Sequence, residues 1–182
     1  MPSFTEEIRL SIARGVPWAC GLVAFAFLTF GLVDPYFGRG DPWEFVRFRG
    51  IIVAVALVIL GAALTPWGRS ALVIRILGYA VITDSGFGVS YLTLMTGGSA
   101  SPYWAFIMLT FFGCTMVLRF SVLEAALLYL TQIIIYGVII LGSGESPLSA
   151  TFITSTGGLA VALAVAVTGN WYIRRLQMTE FT

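Results

Sequence analysis

Two polar side chains fall near the middle of long apolar stretches, where such groups are rare. Asp84 lies in VITDSGFGVSY and Gln132 lies in LTQIII. An ionisable residue at the centre of a bilayer costs roughly 3 kcal/mol or more, so it faces the protein interior or a cavity. Asp84 and Gln132 therefore predict a ligand contact, a proton-sensitive group or a buried polar clasp between two helices. Gly78, Gly86 and Gly88 surround Asp84 and permit close approach of a helix or a ligand.

The stretch TGGSASPYW, residues 96–104, lies between two of the apolar segments. Its small residues are typical of a tight turn, with Gly97 ending one helix, Ser101 capping the next and Pro102 in its first turn. The same stretch also offers backbone N–H groups at Gly97 and Gly98 and the positive end of a helix dipole. The aromatic rings of Tyr103 and Trp104 follow, and they suit the ring of a lipophilic head group that carries carbonyl oxygens. Both interpretations stay open from the residues alone.

Several classes of function are not expected from the composition. The sequence contains no His and no Lys, and its net charge is +1. Without His, the usual zinc and haem ligand sets and the Ser-His or Cys-His catalytic pairs are not expected. Cys20 and Cys114 lie in apolar runs and are expected to pack as small apolar residues. We therefore predict no enzyme activity, no metal site and no nucleic-acid partner for this chain.

The elements that position these residues are membrane spans. Hydrophobic residues make up 58% of the chain and charged residues 10%, whereas soluble domains contain about 25% charged residues. We predict an all-α integral membrane protein with six transmembrane helices and no extramembrane domain. Residues 1–14 are expected to form a short interfacial helix or a frayed polar tail. The predicted spans are residues 15–33, 50–64, 71–95, 104–118, 123–141 and 152–173.

The arginines predict the orientation. Cytoplasmic loops carry an excess of basic residues, and placing both termini inside puts seven arginines in and three out. The inner set is Arg9, Arg14, Arg69, Arg75, Arg119, Arg174 and Arg175. The outer set is Arg39, Arg47 and Arg49, and the pair Arg47 and Arg49 is evidence against this orientation.

The last span and its exit indicate contacts with other helices. Gly158, Ala162 and Ala166 repeat at intervals of four, which lets helix backbones approach closely within the bundle or in a homodimer. Residues 174–182 continue in helix-forming residues with no Gly or Pro. We expect this to be the start of a signalling helix that leads into a cytoplasmic output domain beyond the given sequence.

Asp84, followed by an apolar stretch and Gly97-Gly98-Ser99-Ala100-Ser101-Pro102-Tyr103, resembles a pattern in the membrane domain of RegB-type redox sensor histidine kinases. The family pattern is Gly-Gly-x-x-Asn-Pro-Phe, so Ser stands here for Asn and Tyr for Phe. The resemblance implies a six-helix sensory domain of a two-component system in the bacterial inner membrane. It also implies quinone binding at Gly97, Gly98, Ser101, Pro102 and Tyr103. The exit RRLQMTEFT is similar to that of the membrane anchors of bacterial adenylate and diguanylate cyclases as well.

The resulting expectation is a membrane sensory module that binds a lipophilic signal, with quinone as the candidate. Its ligand residues would be Asp84, Gly97, Gly98, Ser101, Pro102, Tyr103, Trp104 and Gln132. One alternative is the six-helix substrate-capture subunit of a vitamin importer, in which Asp84 and Gln132 contact the substrate. Another is a membrane anchor that has no ligand and dimerises its output domain.

Overall fold

Nearly all of the described chain is helical. The computed structural model describes residues 4–32, 41–118 and 120–180, and among these it has helices and turns but no β-strand. The helices are α1 (Phe4–Phe30), α2 (Pro42–Leu64), α3 (Ala71–Met95), α4 (Trp104–Val117), α5 (Val122–Gly142) and α6 (Ala150–Glu180). Short 3-10 turns at Trp67–Arg69 and Gly98–Ala100 precede α3 and α4.

Five of these helices are long and apolar enough to cross a membrane: α1 from Leu10, α2, α3, α5, and α6 up to Ile173. Large apolar side chains such as Trp18, Val58 and Leu72 are exposed on the outside of the bundle, where lipid would cover them. The chain is thus a multi-pass helical membrane protein. Helix α4 has 14 residues, about 21 Å at 1.5 Å per residue, against about 30 Å for a hydrocarbon core. Six complete spans therefore stay a prediction.

Two helix beginnings differ from the prediction. Helix α2 begins at Pro42 rather than at residue 50, because the Asp41 carboxylate accepts a hydrogen bond from the Trp43 N–H (3.0 Å) and caps the helix. An Asp-Pro pair is a helix start as well as a turn signal. Helix α1 is continuous over Phe4–Phe30, so the segment 1–14 is not a separate helix. Residues 1–3, Arg39 and Arg119 lie outside the described residues.

The helices form two rows of three. Helices α2, α3 and α5 make one row, and α1, α4 and α6 make the other, with α3 packed against α1, α2, α4 and α5. The loops alternate between two ends of this array. We call them the Glu145 end, which carries the α3–α4 turn and the α5–α6 loop, and the Trp67 end, which carries the α2–α3 and α4–α5 connections.

Glycines on α3 explain its central position. A Cβ at Gly78 would lie 2.9 Å from the Phe120 ring, and one at Gly88 would lie 2.7 Å from the ring of Phe27. At Gly86 the Gln132 amide already occupies the space, with Oε1 1.5 Å from where a Cβ would stand. The predicted close approach at these three glycines is therefore made by side chains from α1, α5 and the segment before α5.

The small-residue face of α6 packs inside the bundle. A Cβ at Gly158 would lie 2.9 Å from both the Trp104 ring and the Met108 methyl of α4. Ala162 and Ala166 are buried on the same face. Gly158, Ala162 and Ala166 thus face the interior of a single chain, as one of the two predicted roles requires.

At the Trp67 end, the backbones of α1 and α4 meet, and this close approach can be tested. A Cβ at Gly15 would lie 2.3 Å from the Val117 carbonyl oxygen, whereas a Cβ at Gly21 of the same helix would meet nothing within 4 Å. We expect Gly15→Ala to lower the free energy of unfolding by about 1–3 kcal/mol, the usual cost of overpacking. Gly21→Ala should raise it by about 0.5–1 kcal/mol, since alanine favours the helix.

The measurement is denaturant unfolding of both variants in detergent micelles, followed by circular dichroism. Equal stabilities for the two variants would contradict the close approach of α1 to α4.

Candidate functional site

The α3–α4 turn, residues 96–103, is held by its own polar groups. Helix α3 ends at Met95, and Gly97 (φ 122°) and Gly98 (φ 66°) take backbone conformations that residues with a side chain rarely adopt. The hydroxyls of Thr96 and Ser101 are hydrogen-bonded to each other, and the Ser101 hydroxyl accepts from the Tyr103 N–H (3.2 Å). Ser101 thus caps the start of α4 as its sequence position predicts.

The donors of this turn bind a carboxylate of the same chain. Glu145, in the α5–α6 loop, accepts hydrogen bonds from the Ser99 N–H (3.1 Å) and from the Ser99 hydroxyl. The hydroxyls of Ser149 (3.0 Å) and Thr151 (3.3 Å) donate to it as well. A Cβ at Gly98 would lie 2.7 Å from the carboxylate Oε2. We call the carboxylate of Glu145 with its donors Ser99, Ser149 and Thr151 the Glu145 latch.

The latch keeps Glu145 ionised. Desolvation by burial acts to raise its pKa, but the hydrogen bonds from Ser99, and further ones from Ser149 and Thr151, outweigh this and leave the pKa below the ordinary value. The Gly97 N–H donates to the Leu94 carbonyl oxygen (3.3 Å), and Gly98 lies beside this carboxylate. Ligand binding by Gly97 and Gly98 stays a prediction.

The side chains of Trp104, Pro102 and Tyr103 lie in three different surroundings. Trp104 packs its ring against Gly158 of α6. Pro102 is exposed at the surface of the bundle. Tyr103 is 3% exposed and points inward, between α1 and α2.

Arg49 is the buried partner of Tyr103. Its guanidinium donates to the Phe27 carbonyl oxygen (3.0 Å) and to the Tyr103 hydroxyl (3.2 Å). Its Cζ lies 5.8 Å from the centre of the Phe27 ring and 5.9 Å from that of Tyr103, within cation–π range. Arg49 was expected in an outer loop, but it is 5% exposed and lies within α2. It therefore joins α1, α2 and α4 rather than marking a loop.

A groove of about 280 Å³ runs between α1 and α4, with α3 as its floor. Arg49 and Tyr103 lie at its Glu145 end, and the hydroxyls of Ser85 and Thr110, 3.5 Å apart, lie deeper in it. The rest of its lining is apolar. It includes Leu22, Val23, Phe25, Ala26, Val81, Ile82, Val89, Leu109, Gly113 and Val117.

The groove is bounded at both ends and open at the side. At the Trp67 end, Gly15 approaches the Val117 carbonyl. At the Glu145 end, the rings of Phe30 and Phe106 lie 4.3 Å apart. Between these contacts Leu22 and Leu109 are exposed on the outer surface of the bundle, on either side of the opening. A ligand would therefore enter sideways, from the lipid.

Asp84 and Gln132 do not form the predicted clasp. They belong to different interfaces of α3, because Gln132 packs on Gly86, and residue 84 lies roughly 200° around the helix from residue 86. Asp84 instead lies within electrostatic reach of Cys20 in α1. Among the described residues, Asp84 Oδ2 and both amide atoms of Gln132 are buried without a hydrogen-bond partner.

Neither Asp84 nor Gln132 lines the groove. Cys20 is a buried free cysteine, and the side chain of Cys114 lies outside the described part of the structure. Within that part, no three His, Cys, Asp or Glu side chains converge as metal ligands would.

Two residues of the site were missed from the sequence for different reasons. Arg49 carries a signal, because Phe45, Arg49, Ile52 and Ala56 recur with helical spacing and all are buried. This helical spacing can be recognised in the sequence only if α2 is taken to begin at Pro42 rather than at residue 50. Glu145 carries none, since its partner Ser99 is 46 residues away.

Compared with protein-family models, curated proteins and solved structures, the chain matches none of them.

The two arginines of α2 provide a matched test of the Arg49 contacts. Lysine keeps the charge but not the planar fork that reaches both the Phe27 carbonyl and Tyr103. Hydrogen bonds from charged groups contribute about 1.5–3 kcal/mol, so Arg49→Lys should lower the free energy of unfolding by about 1–3 kcal/mol. Arg47→Lys, at an exposed position of the same helix, should change it by less than about 0.5 kcal/mol.

Unfolding curves in one detergent would compare the two variants with the wild type. If Arg49→Lys were as stable as Arg47→Lys, the guanidinium contacts would contribute nothing specific.

Proposed function

We propose that the chain is a membrane sensory module that binds a lipophilic ligand in the α1–α4 groove and transmits the binding through α6. The observation that carries this proposal is an apolar groove that opens to lipid and has Arg49 and Tyr103 at one end. Ligand sites are typically apolar concavities with a few placed polar groups. A polar vitamin would find few partners on such a lining, so the geometry favours the sensory function over substrate capture.

The size of the groove favours a ring-sized head group. A dry cavity of about 150 Å³ holds benzene, so about 280 Å³ holds a substituted ring but not a whole lipid. The apolar tail would pass between Leu22 and Leu109 into the bilayer. A quinone meets these requirements, with one carbonyl oxygen at the Arg49–Tyr103 end and the other near Ser85 and Thr110. Quinone is therefore the candidate ligand, in the groove beside the predicted turn rather than in the turn.

The packing of α4 offers a route to α6. Helix α4 forms one wall of the groove, and its Trp104 and Met108 are seated on Gly158 of α6. Helix α6 has 31 residues, about 46 Å at 1.5 Å per residue, and continues beyond the span that ends at Ile173. A displacement of α4 by the ligand would therefore reach α6 directly.

The arginine distribution orients this module, with six spans, both termini in the cytoplasm and the Glu145 end outside. Helix α6 would then lead into a cytoplasmic output domain of the kinase or cyclase type in a homodimer. This part of the proposal, with its location in the bacterial inner membrane, rests on the resemblance of residues 84–103.

The first test is to identify what the protein binds. The chain is purified in nanodiscs, extracted with organic solvent, and the extract is analysed by mass spectrometry. A near-stoichiometric quinone would support the proposal. A bound polar vitamin would instead support the importer subunit. Protein that carries no ligand would support a membrane anchor.

Two glycines provide a matched pair of variants. Gly113 lines the groove, Gly137 of α5 does not, and a Cβ at either would meet nothing within 4 Å. Gly113→Leu should fill the groove and reduce the bound ligand by about tenfold or more, equivalent to about 1.4 kcal/mol. Gly137→Leu should leave the amount of ligand unchanged. Equal retention of ligand by both variants would place the ligand elsewhere.

A further inference from the structure

The Glu145 latch joins two loops that are far apart in the sequence. It ties the α3–α4 turn, through Ser99, to the start of α6, through Thr151. We infer that Glu145 is a positioning residue for the α1–α4 groove: its carboxylate fixes the first turn of α4 and so sets the width of the groove. This inference rests on the proposed function only where it concerns ligand affinity.

The turn is built around the carboxylate. Ser99 is 2% exposed. Its hydroxyl can also donate to the Thr151 hydroxyl (2.8 Å), but its buried N–H donates to Glu145. Gly98 has a positive φ and no room for a Cβ beside Oε2. Loss of the carboxylate would therefore leave the buried Ser99 N–H without its acceptor and destabilise this conformation of the turn.

The turn is connected to the groove by a few residues of fixed geometry. Ser101 caps α4 through the Tyr103 N–H, and the Tyr103 hydroxyl meets Arg49 in the groove. One turn further along, Phe106 meets Phe30 across the end of the groove. At the other end of α4 the Val117 carbonyl lies directly against Gly15 of α1. Releasing the turn would thus swing the Glu145 end of α4 away from α1.

The surroundings of Glu145 allow its own charge to control the latch. Its partners from the turn, the loop and α6 are Ser99, Ser149 and Thr151, and none of them titrates near neutral pH. From α5, Tyr136 is within electrostatic reach and donates its hydroxyl to Ser155. Among the described residues no basic side chain forms an ion pair with Glu145.

The sign of the pH dependence follows from these contacts. Hydrogen bonds to the carboxylate hold its pKa below the ordinary value, which is about 4.3 for Glu. The latch is therefore fully formed above the ordinary value and is lost as the pH falls through the lower pKa of the folded protein. We expect a groove of constant width from about pH 7 down to the ordinary pKa of Glu. The groove should widen only as the pH falls further, through the lower pKa of the folded protein.

The test measures the groove width without any ligand. Spin labels at the exposed positions Leu22 and Leu109, in a background of Cys20→Ser and Cys114→Ser, report the α1–α4 distance by pulsed electron paramagnetic resonance. Glu145→Gln should lengthen or broaden this distance by about 1–2 Å, the size of typical helix shifts. The control is Glu44→Gln, an exposed carboxylate in the first turn of α2.

Acidification neutralises Glu145 in the wild-type protein without any substitution. The inference can therefore be tested even if Glu145→Gln fails to fold. The α1–α4 distance in the wild type should change only at pH values below the ordinary pKa of Glu, whereas in Glu145→Gln it should stay constant over the same range. An unchanged distance in Glu145→Gln at pH 7, or the same acid response in both proteins, would overturn the inference.

Binding of decylubiquinone in nanodiscs, followed by quenching of tryptophan fluorescence, separates the two proposals. Affinity that falls by about tenfold in Glu145→Gln, with the distance change, would support both. A distance change in a protein that binds no decylubiquinone would support the latch and overturn the quinone proposal. Equal affinity and equal distances in wild type and Glu145→Gln would overturn the latch and leave the ligand proposal standing.

Discussion

The bundle depends on the absence of side chains along one helix. Helices in lipid gain little from burying apolar surface against one another, so they associate through close packing. Helix α3 lacks a Cβ at Gly78, Gly86 and Gly88, and side chains from three directions occupy that space. Because of this, one helix can touch α1, α2, α4 and α5 at once. The two rows, and the groove between α1 and α4, follow from that central position.

Polar groups then decide which helix ends are fixed. Some hydroxyls of α3 bond to their own helix, as Ser90 does to the Gly86 carbonyl and Thr93 to that of Val89, and these bonds hold no neighbouring helix. Arg49 and Glu145 differ, because each joins several elements. Both contact the α3–α4 turn that leads into α4. The shortest helix is thus the one whose position depends most on specific polar contacts.

The sequence predicted the helices better than their contacts. Apolar run length located all six helices, since it reports burial in lipid directly, but it misplaced the start of α2, where Asp41-Pro42 fits both a turn and a helix cap. The capping roles of Gly97 and Ser101 are local and were predictable. The pairing of Asp84 with Gln132 was wrong because equal depth in the membrane does not establish which face of a helix a residue occupies. The Ser99–Glu145 contact required the tertiary arrangement, which no local pattern encodes.

The contact with Glu145 gives the stretch TGGSASPYW a structural role within the chain. Its glycines and serines accommodate a carboxylate of the same chain, and only Tyr103 extends from it into the groove. A ligand can shift an equilibrium only by its differential affinity for the two states. In the proposed function those states differ in the distance between α1 and α4, and the turn is what sets that distance at one end. The latch and the ligand would then act on the same helix, so neutralising Glu145 and emptying the groove would change the position of α6 through a single element.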